Sequence, residues 1–134
     1  MQIAFFELEK WEEEYIKTNL PNQEVLMIPE KLTLENASNY QNVEAVSIFI
    51  YTNLQRELID KLPNLKFVAT RSTGFDHIDL EYCKSKGIVV SNVPTYGAHT
   101  VAEHTFALIL AISRKIVPSV EQAKRGDFSS ENLQ

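Results

Sequence analysis

Short apolar runs without polar alternation are the feature of this sequence that most restricts its fold. Strands covered on one face alternate apolar with polar residues, whereas parallel strands covered on both faces do not. The runs, rich in β-branched and aromatic residues, are IAFF (3–6), EVLMI (24–28), AVSIFI (45–50), KFVAT (66–70) and GIVVSNV (87–93). They predict a parallel sheet that is covered on both faces.

Helical patterns occupy the segments between the runs. Residues 7–20 place Leu8, Trp11 and Tyr15 on one helix face and a row of glutamates on the other. The segment around Leu32 to Tyr40 carries a weaker helical pattern.

Capping residues mark two further helices. In residues 52–63, Thr52 is the predicted N-cap, Gln55 holds the capping-box position and Pro63 ends the helix. The next helix begins with Asp79 as its N-cap and ends at Gly87. Strands that alternate with helices predict an α/β fold with a doubly wound parallel sheet. A chain with strands of this kind most resembles the flavodoxin-like arrangement, with strand order 2-1-3-4-5.

The last long helical pattern differs from the others. It begins with Thr100 and Glu103 in capping-box spacing and is apolar almost all round from Phe106 to Ile112. We expect a helix over 101–117 that is buried on most sides, which a small flavodoxin-like domain cannot achieve alone. The predicted domains are therefore 1–100 and a linking helix region over 101–134.

Composition narrows the classes of function. The 134 residues suit one compact domain, and a net charge of −5 without a Lys/Arg block argues against nucleic-acid partners. The longest apolar run is too short to cross a bilayer, and the N-terminus lacks the basic flank of a signal peptide. A single cysteine, Cys83, fits a reducing cytoplasm.

The segment RSTGFD (71–76) is the strongest candidate for a binding turn. In open α/β sheets ligands lie beyond the carboxyl ends of the strands, where YTN (51–53) and NVPTYG (92–97) also arrive. The amides of Thr73 and Gly74 could hold a carboxylate there without a charged side chain. A plain tight turn explains Gly74 equally well, so both interpretations stay open.

Other candidate residues carry weaker signals. Arg71 could pair an anion, although an arginine at a strand end more often pairs with an acidic neighbour. Tyr51 and Tyr96 could form a pocket wall or simply pack. Glu103 could be a catalytic acid, but its capping-box position already accounts for a glutamate there. Cys83 has no activating partner in its helix.

The histidines do not predict a metal site. His99 and His104 are five residues apart, so they point to different helix faces, and His77 lies on another segment. We expect no metal.

The run TRSTGFDHIDLEYCKSKGIVVSNVPTYGAHTVAEHTFALIL resembles the D-isomer-specific 2-hydroxyacid dehydrogenases, most closely their D-lactate dehydrogenase-like members. The G-x-D-x-I-D run, the NVP-x-Y turn and the VAEHT helix start occur in family order. The resemblance implies a flavodoxin-like substrate domain over 1–100 joined to a Rossmann domain, with the active site in the cleft between them. It makes 101–134 the interdomain and dimerisation helix and the start of the NAD-binding domain, the rest of which is expected to be missing here.

The same resemblance implies roles for individual residues. Ser72, Thr73 and Gly74 would bind the 2-oxoacid, its carboxylate lying on the backbone of the last two. Tyr96 and Tyr51 would shape the pocket for the substrate's side chain. Thr105 would face the nicotinamide end of NAD, and helix 101–117 would lie in a homodimer interface.

The sequence departs from the family where the cofactor should bind. Its glycines, Gly74, Gly87, Gly97 and Gly126, never have the G-x-G-x-x-G spacing that cradles a pyrophosphate. The family's catalytic arginine, glutamate and histidine also have no counterpart, so we expect no catalytic residue here. The sequence is expected to be the front part of an NAD-dependent enzyme, inactive alone. The alternative is a stand-alone flavodoxin-like module that binds a small acid or a protein partner.

Overall fold

Five parallel strands form a single sheet in the order β2-β1-β3-β4-β5. The computed structural model describes residues 1–130, and the chain clusters into two compact units, Met1–Pro94 and Thr95–Gln134. The strands, all in the first unit, are β1 (Gln2–Phe5), β2 (Glu24–Met27), β3 (Ala45–Ile48), β4 (Phe67–Thr70) and β5 (Val89–Ser91). This topology confirms the predicted α/β fold and the order 2-1-3-4-5.

The core of the first unit is built around the central strand. Every residue of β3 is buried, and Val46 pairs with Ala4 of β1 on one side and Val68 of β4 on the other. In a strand that is hydrogen-bonded on both sides and covered on both faces, no side chain faces water, so apolar and polar residues do not alternate. The uninterrupted apolar run of β3 therefore has its physical explanation in this arrangement, whereas the edge strands β2 and β5 keep exposed residues.

Helices connect the strands and extend the chain beyond them. They are α1 (Lys10–Asn19), a 3₁₀ helix (Ala37–Tyr40), α2 (Arg56–Ile59), α3 (Leu80–Ser85), α4 (Ala98–Ser113) and α5 (Ile116–Lys124). Among the described residues, none of these helices combines the length and apolarity needed to cross a membrane.

The helix α1 buries a different residue from those that its pattern suggested. The helix begins only at Lys10, where the Glu9 amide donates to the Glu12 carboxylate at 2.7 Å. Trp11 and Tyr15 are exposed, and Ile16 is the buried residue of the helix. The predicted apolar face was therefore wrong, because the buried residue is Ile16 and not its neighbour Tyr15.

The prediction of Thr52 as an N-cap was wrong, and the helix there is much shorter. Gln55 is the N-cap of α2, whereas Thr52 is fully buried and bonds to distant loops. The Leu54 amide donates to the carbonyl oxygen of His77 at 2.8 Å, which keeps residues 52–54 extended. Long-range hydrogen bonds therefore override the local capping signal.

The caps of α3 are as predicted. Asp79 accepts a hydrogen bond from the Tyr82 amide at 2.9 Å, and Gly87 has a left-handed φ of 72° just beyond the helix. Both are local devices that satisfy the unpaired groups of a helix end.

The predicted single helix over 101–117 is two helices. Helix α4 begins at Ala98 with Gly97 as its N-cap, so the capping box of Thr100 and Glu103 was wrong. The chain turns at Lys115, whose φ is 49°, before α5 begins. Pro118 explains the break, because its ring would clash with the Arg114 carbonyl in a continuous helix and it has no N–H to donate.

The apolar side chains of α4 are not covered within the single chain. No residue of α4 is buried, and Phe106, Ile109 and Leu110 are all exposed. The predicted burial on most sides is therefore not met by this chain alone.

Candidate functional site

The turn that follows β4 is fixed from its buried side by a relay of hydroxyl groups. The Ser72 hydroxyl donates to the Gly74 carbonyl oxygen at 2.7 Å and lies 2.6 Å from the Thr70 hydroxyl. The one Thr70 hydroxyl proton has two acceptors within reach, the Ser72 hydroxyl and the Phe49 carbonyl oxygen at 3.4 Å. The Thr70 hydroxyl also lies 3.2 Å from Nε2 of His77, whose role as donor or acceptor depends on its tautomer. The buried Ser72 side chain thus shapes the turn.

The other side of the turn is tied to the segment after β5. Thr73 donates its hydroxyl proton to the Val93 carbonyl oxygen at 2.9 Å, and Asn92 donates its side-chain amide to the Thr73 carbonyl oxygen at 2.8 Å. The Val93 amide also donates to the Ser72 carbonyl oxygen at 3.0 Å. The turn is therefore held rigidly between two strand ends.

The amides of Thr73 and Gly74 are among the backbone donors that the turn leaves unpaired within residues 1–130. Within residues 1–130, neither backbone N–H donates to a protein acceptor. Adjacent unpaired N–H groups in a rigid turn can hold an anion without a cationic side chain. The geometry therefore fits a small carboxylate.

Gly74 has no local structural reason to be glycine. Its φ is not in the left-handed region, and an added Cβ would meet only the Asp76 carboxylate, at 4.0 Å. Folding therefore does not demand glycine here. A ligand that approaches the backbone closely supplies a reason that the fold does not.

Arg71 is committed to the protein and not to a ligand. Its guanidinium donates to the carbonyl oxygens of Phe6 and Glu7, each at 2.9 Å, and to the Ser47 hydroxyl at 3.0 Å. Its Nε lies 3.4 Å from the Glu12 carboxylate. The expected pairing with an acidic neighbour is confirmed, and Arg71 links the ends of β1, β3 and β4.

Tyr51 lies on the loop after β3, the strand beside β4. Its ring is 67% exposed, while its amide donates to the Glu7 carboxylate at 3.0 Å. Two open cavities of about 320 and 350 Å³ share Tyr51 and Lys31 in their walls. The ring packs edge-to-face against Phe49, with centroids 6.1 Å apart, and its exposed part can contact a ligand while its backbone is held.

Tyr96 and Thr105 belong to the second unit. Tyr96 is exposed just before α4, and the Thr105 hydroxyl, also exposed, donates to the Val101 carbonyl oxygen at 2.8 Å along the helix. The structure brings Ser72, Thr73 and Gly74 together in one turn. The roles of Tyr96 and Thr105 remain predictions.

Metal-ligating groups do not cluster. In residues 1–130, no three His, Cys, Asp or Glu side chains could share an ion. The His77 ring is hydrogen-bonded to the Thr70 hydroxyl, and His99 and His104 lie on α4. Cys83 is a buried thiol of α3, and burial raises its pKa above the ordinary value, as expected of an inert core cysteine.

The sequence analysis missed Glu7 and Thr52. The Glu7 carboxylate accepts from the Tyr51 amide and from the Thr52 hydroxyl, and the same hydroxyl accepts from the Leu32 amide at 3.1 Å. The available signal was a charged residue directly after the apolar run IAFF, at the carboxyl end of a strand. Nothing local pointed to Thr52.

The strand-to-helix loops that the structure describes do not have the form that holds a dinucleotide pyrophosphate. The loop between β1 and α1 carries Glu7 and Glu9, whose charges oppose a phosphate, and it contains no glycine. No strand-to-helix turn among residues 1–130 has the glycine-rich form that cradles phosphates at a helix N-terminus.

Comparisons with known proteins agree with this geometry. A D-lactate dehydrogenase from Aquifex aeolicus, solved with NAD and lactic acid, superposes with a TM-score of 0.92 at 33% identity, covering 98% of this chain and 40% of that one. A 2-hydroxyacid dehydrogenase homolog from Zymomonas mobilis is 29% identical over 99% of this chain and 41% of its own length. The D-lactate dehydrogenase of Escherichia coli is 32% identical over 76% of this chain and 32% of its own length.

The matches cover most of this chain but less than half of each relative. The chain spans about 41% of the length of the Zymomonas relative and 40% of the Aquifex structure. The family model for the catalytic domain of D-isomer specific 2-hydroxyacid dehydrogenases matches residues 3–134. With its strand order and this match, the chain belongs to the D-isomer specific 2-hydroxyacid dehydrogenase family.

Proposed function

We propose that this chain is the substrate-binding part of an NAD-dependent oxidoreductase that interconverts 2-oxoacids and D-2-hydroxyacids, of the D-lactate type, by hydride transfer. The observation that carries the proposal is the pair of unpaired amides at Thr73 and Gly74, held at the carboxyl end of a parallel sheet. A 2-oxoacid offers the carboxylate that such a turn accepts.

The residues of this chain orient the substrate. The Thr73 and Gly74 amides hold the carboxylate, Ser72 supports them from below, and the exposed rings of Tyr51 and Tyr96 bound the substrate's side chain. Fixing the carboxylate places the carbonyl carbon in a defined position, which is the main contribution that a binding domain makes to a transfer reaction.

The nicotinamide cofactor supplies the hydride, and we propose that a separate part of the protein holds its pyrophosphate. Thr105 is the residue of this chain assigned to the nicotinamide end. We propose domains over 1–100 and 101–134, the second being the linking region, and a cytoplasmic location. We also propose a homodimer through helix region 101–117, because exposed apolar side chains there need cover.

Enzyme assays test the proposal. The 134-residue chain alone should not oxidise NADH with pyruvate or a bulkier 2-oxoacid, since it lacks a phosphate loop. Joined to a cofactor-binding part, it should turn over, and Gly74→Val should raise KM roughly tenfold or more, because the new side chain occupies the carboxylate's approach.

The fold offers a clean control for this substitution. Gly74 has no positive φ and an open Cβ position, so the variant should keep the wild-type melting temperature. A folded Gly74→Val variant with unchanged KM for every 2-oxoacid tried would contradict the substrate site. Turnover by the chain alone would contradict the proposal that a separate part of the protein holds the cofactor.

A further inference from the structure

Glu7 adopts a backbone conformation that its side chain type disfavours. Its φ is 58°, in the left-handed region, two residues after the end of β1. Non-glycine residues persist there only where surrounding contacts determine them, and such residues gather at functional sites. The contacts around Glu7 therefore indicate what its conformation serves.

The main chain of Glu7 is held by the element that carries the carboxylate turn. Arg71 donates from Nη2 to the Glu7 carbonyl oxygen at 2.9 Å, and the Glu7 amide donates to the Glu30 carbonyl oxygen at 3.1 Å. Arg71 directly precedes Ser72, the first residue of the turn. The backbone of Glu7 is thus linked to the turn through one side chain.

The side chain of Glu7 holds the neighbouring loop. One carboxylate oxygen accepts from the Tyr51 amide at 3.0 Å, and the other accepts from the Thr52 hydroxyl. Thr52 is fully buried and accepts in turn from the Leu32 amide. Two adjacent donors on one loop therefore meet the two oxygens of one carboxylate.

We propose that Glu7 is a positioning residue that sets the Tyr51 loop relative to the Ser72–Gly74 turn, and so determines which 2-oxoacid side chains the site accepts. This inference rests on the proposed function. Glu7 touches neither substrate nor cofactor in this proposal, and it acts through the placement of Tyr51. Its left-handed φ points the backbone toward Arg71 while its carboxylate reaches the loop.

Two substitutions separate the carboxylate from the backbone. Glycine adopts the left-handed conformation without strain but has no acceptor, so Glu7→Gly removes the link to Tyr51 and relaxes the main chain. Glutamine has the same length and one acceptor oxygen, so Glu7→Gln can keep the hydrogen bond from the Tyr51 amide while its NH2 group faces the Thr52 hydroxyl oxygen. A role limited to backbone shape predicts that glycine serves as well as glutamate.

Hydrogen exchange in the 134-residue chain tests the link itself. In Glu7→Gly, the Tyr51 amide should exchange roughly tenfold or more faster, since its only acceptor among the described residues is the Glu7 carboxylate. Strand amides of β3 should keep their wild-type rates, and Glu7→Gln should stay close to wild type. Unchanged exchange at Tyr51 in Glu7→Gly would overturn the proposal.

Kinetics of the chain joined to its cofactor-binding part test specificity. Glu7→Gly should raise KM for a 2-oxoacid with a long side chain about three- to tenfold more than KM for pyruvate, with kcat little changed. Glu7→Gln should restore the wild-type ratio. If Gly74→Val raises KM and Glu7→Gly leaves the ratio unchanged, the positioning role fails and the proposed function stands. If neither substitution affects any 2-oxoacid, the proposed function itself fails.

Discussion

The Asp79 carboxylate joins α3 to α2 by accepting a hydrogen bond from the Arg56 guanidinium across 3.0 Å. The same carboxylate caps α3 by accepting from the Tyr82 amide. That amide first, and Arg56 second, lower the pKa of Asp79 below its ordinary value. One side chain therefore serves as a helix cap and as a tie between two helices.

This arrangement predicts a pH-dependent part of the free energy of unfolding. A depressed pKa means that Asp79 stabilises the fold fully above its ordinary value of 3.8 and loses that contribution as pH falls through the lower folded value. In Asp79→Asn the amide can still cap the helix, but the charge is gone. Wild type should therefore exceed the variant in stability at neutral pH, and the two should converge in acid.

Urea denaturation across a pH series measures the difference. Other carboxylates with lowered pKa values, such as Asp60 and Glu44, titrate in both proteins and cancel in the comparison. A gap between wild type and variant that stays constant from neutral pH to well below 3.8 would contradict the assigned role of the charge.

Arg71→Lys should destabilise the first unit by roughly 1–3 kcal/mol, because a lysine cannot reproduce the donors to Phe6, Glu7 and Ser47 and leaves partly buried carbonyls unpaired. Chemical denaturation gives the value. Arg56→Lys is the matched control, since the Arg56 side chain is 65% exposed and its pair should contribute less. Equal losses for the two variants would argue against the linking role of Arg71.

Cys83 should react with a thiol reagent only when the first unit unfolds. Its side chain is fully buried, and burial raises the pKa of the thiol, so the reactive thiolate is scarce and inaccessible. The labelling rate should follow the unfolded fraction as urea increases. Rapid labelling in buffer, with a folded circular dichroism spectrum, would be inconsistent with this burial.

Ile109→Glu should shift the proposed homodimer to monomer in sedimentation. Ile109 is 54% exposed on α4, and burial of such a side chain between subunits is worth roughly 1.5–3 kcal/mol. The control is Thr100→Glu, which adds the same charge about two and a half turns along α4, on the opposite helix face. If the wild-type chain sediments as a monomer and melts cooperatively, the proposed homodimer is wrong.

Local chemistry in the sequence determined the fold class. The apolar runs specified the strands of a parallel sheet, and the caps at Asp79 and Gly87 acted on neighbouring residues in the way that their types predict. The STG turn was recognisable because a glycine after a buried strand marks the carboxyl end of a parallel sheet. Each of these signals lies within a few residues of its effect.

Only the tertiary structure decided which residues hold the site in place. Thr52 was predicted to cap a helix. Its side chain is instead buried, and its hydroxyl donates to the carboxylate of Glu7, 45 residues away, which links two loops. Arg71 reaches 64 residues back to the same glutamate. These contacts depend on strands β1, β3 and β4 lying side by side, and no local pattern encodes the distance between their ends. The sequence therefore identified the candidate turn after β4, while the fold alone determined how that turn and the Tyr51 loop are held together.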